Sequence, residues 1–83
     1  MKRVGKLQTS DMYGGFVTWN KQVGQLCHPH DRIVDIETQK YVIGVYGHHL
    51  GLKRDMVLKR QCIKGSFTCQ RGDTIRVAVF AKQ

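Results

Sequence analysis

A period of two in the order of apolar and polar side chains is the feature that most constrains the fold. Segment 32–37 alternates in this way, with Val34 and Ile36 on one side and Asp35 and Glu37 on the other. Segment 73–80 repeats the pattern after a Gly-Asp turn signal, with apolar residues at 75, 77 and 79 on one face. Successive residues of a β-strand face opposite sides, so each segment predicts a half-buried strand.

Two further segments are typical of strands by their composition. Segment 41–46, YVIGVY, follows 32–37 after three polar residues, and its β-branched and aromatic side chains predict the second strand of a hairpin. Segment 15–19, GFVTW, predicts an earlier short strand for the same reason. The chain therefore contains at least four strand-like segments.

Segment 56–63 is ambiguous, because it fits either a strand or a helix that begins at an Asp55 cap. A helix would place Lys59 and Arg60 among the core positions. Gly51 and Gly65 would limit that helix to about two or three turns. We therefore favour a strand for this segment.

The spacing of these segments predicts the fold class. Four or five short strands separated by glycine-marked turns predict a mainly β fold: a small antiparallel barrel of the OB-like or SH3-like kind, or a compact antiparallel sheet, with room for one short helix. A length of 83 residues allows one hydrophobic core, so residues 1–83 are expected to form a single small basic domain. Hydrophobic residues make up 41% of the chain, which is too much for a disordered tail.

Positive charge is concentrated in segment 53–64, KRDMVLKRQCIK. This segment holds five lysines or arginines against one acid, a net +4 and half of the whole-chain charge of +8. Apolar residues separate its basic pairs, which favours cations mounted on a structural element over a flexible basic tail. A folded surface with this charge attracts nucleic acid or an acidic protein face.

A nucleic acid is the partner that we prefer, as single-stranded DNA or RNA held on a basic face. Cations replace the counterions of phosphates, and aromatic rings stack on unpaired bases. Trp19 is the favoured stacking residue because polar residues follow it, although an indole there also suits a core anchor. The predicted interface is formed by Lys53, Arg54, Lys59, Arg60, Lys64, Trp19, Arg71 and Arg76. Lys2, Arg3 and Lys6 are further cations, and Tyr13, Phe16, Tyr41 and Tyr46 are further aromatic candidates with burial in a core as the alternative.

The alternative function is a protein-interaction module or small inhibitor, of the kind that a virus or plasmid encodes, whose basic face docks on an acidic protein. Leu50, Leu52 and Met56 keep this alternative open. Exposed apolar side chains beside a basic patch favour a protein partner. An exposed strand edge would also allow a homodimer.

Metal binding and catalysis have little support in the sequence. Cys27, His30, Cys62 and Cys69 are residue types that bind zinc, but the gap of six residues between the last two matches no standard zinc finger or ribbon. No carboxylate pair, oriented nucleophile or phosphate-binding loop stands out. We predict no metal, no cofactor and no enzyme activity, and leave zinc to be settled by measurement.

Cysteine number and hydropathy lead to an expectation about location. The three cysteines are an odd number, which argues against a disulfide framework. No apolar run approaches the ~20 residues that span a membrane, and no apolar signal segment follows the basic N-terminus. We therefore expect a cytoplasmic protein with reduced thiols and no membrane partner.

Overall fold

The computed structural model describes residues 1–9 and 12–83, in which eight β-strands and one 3-10 turn are formed. All strand pairs are antiparallel. The strands are β1 Lys2–Gln8, β2 Gly14–Trp19, β3 Leu26–Cys27, β4 Arg32–Glu37, β5 Val42–Tyr46, β6 Met56–Gln61, β7 Gly65–Thr68 and β8 Thr74–Ala81, and the 3-10 turn is Gly47–Leu50.

The strands form two sheets of four. Sheet I has the order β1-β8-β6-β3, and sheet II has the order β5-β4-β2-β7. The first and last strands of the chain are therefore neighbours in sheet I, and the amide of Lys82 donates to the carbonyl of Met1 at 3.1 Å. Within the described chain, no helix is long and apolar enough to cross a membrane.

One hydrophobic core takes side chains from both sheets. Sheet II contributes mainly β-branched residues, whereas sheet I contributes larger and more varied side chains. The 3-10 turn adds Leu50, and Leu52 follows it into the same core. The buried residues of the strands are Val17, Ile33, Val34, Ile36 and Val45 from sheet II, and Cys27, Met56, Leu58, Val77, Ala78 and Phe80 from sheet I.

The mainly β prediction is confirmed. The hairpin of β4 and β5, the earlier strand β2 and the late strand β8 lie within one residue of their predicted bounds. Segment 56–63 contains the strand β6, so the helical alternative is wrong, and Asp55 stands directly before a strand. The only helical element of residues 1–9 and 12–83 is the 3-10 turn, which the sequence had not indicated at Gly47–Leu50.

Two β-bulges alter the predicted alternation in sheet I. Gly5 of β1 pairs with Ala78 and Lys6 pairs with Arg76, which leaves Val77 as the extra residue of β8. Val77 and Ala78 are consequently both buried, and Val79 faces outward. The prediction that residues 75, 77 and 79 share one face is therefore wrong, because a bulge resets the alternation.

Candidate nucleic-acid interface

The outer face of sheet I collects cations because of how β1 alternates. Gly5 is buried and lies against Leu50 and Phe80, so β1 turns its odd positions inward at this point. Its neighbours on the other side, Lys2, Val4 and Lys6, are all exposed. The edge strand β1 therefore places Lys2, Val4 and Lys6 on the outer surface of the molecule.

Strand register extends this face across the sheet. Lys6 lies beside Arg76, and Val4 lies beside Val79, which in turn lies beside Arg60. We call this surface the basic face. Its residues are Lys2, Val4 and Lys6 of β1, Arg76, Val79 and Ala81 of β8, Val57, Lys59 and Arg60 of β6, and Leu26 of β3.

A β-bulge in β6 brings two consecutive cations to the surface. Leu58 pairs with Phe80 and Arg60 pairs with Val79, so Lys59 is the extra residue between them. Strict alternation would have turned Arg60 to the side of Leu58, which is completely buried. The bulge moves Arg60 to the outside instead, and both cations are exposed.

Charge is segregated between the two sheets. The strands of sheet I contain six lysines and arginines and no acid, a net +6. The strands of sheet II contain one cation, Arg32, against Asp35 and Glu37, a net −1. Because no acid lies on the strands of sheet I, the cations of the basic face have no acidic neighbour on those strands.

The acids that do form ion pairs are outside the basic face. Asp31 is 3.1 Å from the ammonium of Lys21, and Asp55 is 3.6 Å from His28. Asp35 is paired with Arg32 of its own strand. Across residues 1–9 and 12–83, no ion pair involves a cation of the basic face.

The remaining predicted cations surround this face and do not belong to it. Lys53 and Arg54 are exposed in the bend before β6, and Lys64 is exposed between β6 and β7. Arg71 is exposed in the turn from β7 to β8. Of the eight predicted interface residues, the structure brings Lys59, Arg60 and Arg76 together.

Trp19 is held in place by contacts typical of a core anchor. Its indole N–H donates to the carbonyl of Ile63 at 2.9 Å, and its half-buried ring packs against the core. The aromatic rings with the greatest exposure belong to Tyr13 (70%), Phe16 (51%) and Tyr41 (47%), and these three line one cleft at an end of sheet II. The most accessible aromatic surface of the described residues therefore lies at this cleft.

The apolar side chains that favoured a protein partner are in the core. Leu50, Leu52 and Met56 are each only 2% exposed. Exposed apolar residues of a different set, Val4 and Leu26, lie on the basic face. For Val4, the sequence signal was the alternation of Lys2, Val4 and Lys6, which is typical of a strand that carries an apolar residue on its charged face.

The cysteines considered for zinc are dispersed. Cys27 is completely buried, and burial raises the pKa of its thiol. Cys69 is half-buried, and its thiol donates to the carbonyl of Met12 at 3.6 Å. In the part of the chain that the structure describes, no three histidine, cysteine or acidic side chains are placed to hold a metal ion.

All four histidines meet at the end of the molecule where the 3-10 turn lies. The amide of His48 donates to the carbonyl of Pro29 at 2.8 Å, which ties the turn to the loop between β3 and β4. The Nδ1 atoms of His28 and His49 accept backbone N–H groups of His30 and Tyr46, both at 3.1 Å. Neighbouring ring centroids are 4.3–5.9 Å apart. Its members come from two separate segments, the loop between β3 and β4 and the 3-10 turn.

Comparison with known proteins adds no relative to this description. No family model, no curated protein and no solved structure matches the chain.

Proposed function

We propose that the protein is a nucleic-acid-binding domain whose basic face holds the phosphate backbone. The observation that carries the proposal is the segregation of charge, with net +6 on the strands of sheet I and net −1 on those of sheet II. A phosphate backbone is a row of anions that gains free energy by exchanging bound counterions for protein cations. A flat sheet face with several unpaired cations suits such a row.

The arrangement of side chains within the basic face supports the same proposal. Its cations are spread over β1, β8 and β6, and the valines Val4 and Val79 lie among them. The cations can reach phosphate oxygens, while the apolar side chains between them can pack against sugars. Such contacts fix a backbone in position without reading its sequence, so we expect weak sequence preference.

The proposal is tested by the salt dependence of oligonucleotide binding. Lys59→Ala/Arg60→Ala removes two cations from the basic face, and Lys53→Ala/Arg54→Ala removes an equal charge from the bend nearby. Each phosphate contact on a single strand contributes about 0.7 to the slope of log K against log salt. We expect the first variant to lower the slope by up to about 1.4 and the control to change it much less.

Two results would contradict the proposal. Wild-type protein that binds no DNA or RNA oligonucleotide at low salt has no phosphate-binding face. Equal losses of slope in both double variants would show that only total charge matters, and that the basic face is not the site.

An acidic protein surface is the second candidate partner, and the exposed Val4 and Leu26 within the basic face favour it. Apolar side chains among cations are common where proteins dock. The same titration separates the two functions, because a basic face specialised for an acidic protein attracts oligonucleotides only through total charge, so both double variants would lose slope equally.

Location and self-association follow from the proposed partner. Nucleic acid is consistent with the cytoplasmic location expected from the sequence. A homodimer formed through the open edge of β1 would join two basic faces, but it would also bring Lys2, Arg3 and Lys6 of both copies together. We therefore expect such a dimer only when a polyanion is bound and offsets the repulsion.

A further inference from the structure

A cleft of about 710 Å³ lies at one end of sheet II. It is formed where β2 begins, where the turn between β4 and β5 projects, and along β7. Its aromatic walls are Tyr13, Phe16 and Tyr41, and Phe67 of β7 also lines it. An open, ring-lined space of this size accommodates planar ligands.

The rings of this cleft are available to a ligand. Tyr13, Phe16 and Tyr41 are 70%, 51% and 47% exposed, so a large part of each residue is in contact with solvent. In a chain that buries Phe80 completely, three accessible rings around one opening are not core residues. A water-exposed aromatic face is the surface on which a nucleobase stacks.

Glycines keep part of the cleft lining free of side chains. Gly14 has a φ of +144°, and a Cβ there would lie 2.2 Å from the carbonyl oxygen of Phe67. A Cβ on Gly15 would lie 2.6 Å from the carbonyl oxygen of Glu37. Both positions admit only glycine because neighbouring backbone approaches them closely, and this close packing fixes the start of β2 between Tyr13 and Phe16.

Hydrogen bonds fix the walls in position. The hydroxyl of Thr38 donates to the carbonyl of Tyr41 at 2.9 Å, and it accepts the backbone N–H groups of Lys40 and Tyr41. On the other side, the amide of Cys69 donates to the carbonyl of Tyr13 at 2.9 Å. Rings carried by braced backbone lose little conformational freedom when a ligand binds.

Charge around the cleft favours a ring that carries a phosphate. Lys40 and Arg71 line a recess that they share with Tyr13 and Tyr41. Glu37 is the acidic residue among the described residues of the lining. Two cations beside exposed aromatic rings match the chemistry of a nucleotide, in which an anionic phosphate accompanies a planar base.

The cleft adjoins the end of the basic face at which Lys6 and Arg76 pair. The turn that carries Arg71 leads from β7, which lines the cleft, directly into β8. This turn is bonded to the end of β1, because the amide of Thr9 donates to the carbonyl of Asp73 at 2.7 Å. A nucleic-acid strand bound along the basic face can therefore reach the cleft by way of this turn, which lies a few residues before Arg76 in the protein sequence.

We infer that this cleft is a base-stacking site for unpaired nucleotides, which makes single-stranded DNA or RNA the substrate class. The inference rests on the proposed function, because the basic face supplies the phosphate contacts that hold the strand. Tyr13, Phe16 and Tyr41 provide the stacking surfaces, and Lys40 neutralises a phosphate beside them. Duplex bases are already stacked on one another and gain nothing from these rings.

An abasic oligonucleotide separates stacking from phosphate binding. Wild-type protein is titrated at constant salt with oligothymidylate and with an abasic strand of the same length. We expect tighter binding of oligothymidylate by about fivefold to a hundredfold for each stacked base. Tyr13→Ala/Tyr41→Ala leaves Phe16 as the one exposed ring of the three, so it should lower this preference by at least about fivefold and leave binding of the abasic strand unchanged.

Conservative and remote variants complete the test. Tyr13→Phe/Tyr41→Phe keeps both rings and should keep the preference, and Val23→Ala, at a residue that is 58% exposed outside the cleft, should also keep it. Equal thermal unfolding midpoints of the variants confirm that they fold. Wild-type protein that binds both strands equally, or an alanine double variant that keeps the full preference for oligothymidylate, overturns the cleft assignment and leaves the basic face intact. Failure to bind either strand overturns the proposed function as well.

Discussion

Asp31 shows how one side chain organises the end of the molecule that holds the histidines. Its carboxylate accepts the backbone N–H of His28 at 2.8 Å and pairs with Lys21 at 3.1 Å. These two contacts, with the hydrogen bond first in importance, hold the pKa of Asp31 below its ordinary value. Its backbone carbonyl also accepts the amide of Gly47, which anchors the 3-10 turn.

Asp31 therefore stabilises the fold in a pH-dependent way. A carboxyl group with a lowered pKa in the folded state contributes stability above its unfolded pKa of about 3.9 and loses it as pH falls through the folded pKa. We expect Asp31→Ala to lower the free energy of unfolding by about 1 kcal/mol at neutral pH. Urea unfolding across pH should show that this difference shrinks below about pH 4. A difference that stays constant to lower pH would contradict the account.

Cys27 gives a second prediction at the level of one residue. Its side chain is completely buried beside Met56, its partner on β6, and desolvation raises the pKa of its thiol. The thiolate is the reactive form, so Cys27 should react with a maleimide far more slowly than the half-buried Cys62 and Cys69. Mass spectrometry of partly labelled peptides measures the order of reaction. Labelling of Cys27 first, in folded protein, would show that its site is open.

At the level of secondary structure elements, β1 depends on a close approach. Gly5 faces the 3-10 turn, and a Cβ there would lie 2.9 Å from Leu50 Cβ and 3.2 Å from the ring of Phe80. Neither neighbour is the free end of a flexible side chain, so the strand or the turn must shift. The position of β1, which carries Lys2 and Lys6, therefore depends on the absence of a side chain at Gly5.

Gly5→Ala should therefore destabilise the protein by about 1–3 kcal/mol, as overpacked cores do. Val4→Ala, on the outer face of the same strand, is the matched control and should cost much less, because Val4 is 41% exposed. Chemical unfolding of both variants gives the two values. Equal effects of the two substitutions would show that β1 does not pack on the turn as described.

The strands that the sequence predicted are marked by an apolar stripe or by a run of β-branched and aromatic residues. β4 turns Val34 and Ile36 to the core, its hairpin partner β5 consists mainly of β-branched and aromatic residues, and the sequence locates both within one residue. β1 was missed because its inward positions are arginine, glycine and leucine, so no apolar stripe marks the strand. β7 was missed because it is only four residues long and half of it is exposed.

The positions of the β-bulges cannot be predicted from the alternation of apolar and polar residues alone. A period of two assigns Val79 to the core and Arg60 to the side of Leu58, and both assignments are reversed by one extra residue in each strand. Where an extra residue is inserted depends on the partner strand and not on the local sequence. The sequence therefore identified Arg60 as a candidate interface residue, but it could not show on which side of the sheet Arg60 lies.

At the scale of the whole molecule, the clustered cations lie on sheet I and the exposed aromatic rings lie around the cleft of sheet II. The turn that carries Arg71 connects the two sheets. The sequence located the cations and included Tyr13, Phe16 and Tyr41 among the aromatic candidates. It could not show that the cations share one sheet while the accessible rings share one cleft, because both sets come from distant segments. Trp19 is favoured for stacking by the polar residues that follow it in the sequence, but its indole N–H forms a hydrogen bond typical of a core residue.

Crowding of like charges on sheet I has a consequence for stability. Cations such as Lys6 and Arg76, which are paired across adjacent strands, repel one another, and salt screens this repulsion. We expect the thermal midpoint to rise by about 2–5 °C between low and moderate sodium chloride. Lys59→Ala/Arg60→Ala should weaken the rise, whereas Lys40→Ala, outside sheet I, should preserve it. A midpoint that does not change or falls with salt would contradict a crowded basic face.

The central claim, that nucleic acid lies along the outer face of sheet I, is tested most directly by mapping backbone amide shifts. Nitrogen-15-labelled protein is titrated with oligothymidylate at low salt, and the shift of each amide is followed by NMR. We expect the largest changes along β1, β6 and β8, around Lys6, Arg60 and Arg76, and continuing to Tyr13 and Tyr41 at the cleft. Changes confined to β4, β5 and the histidine cluster, or no changes at all, would contradict it.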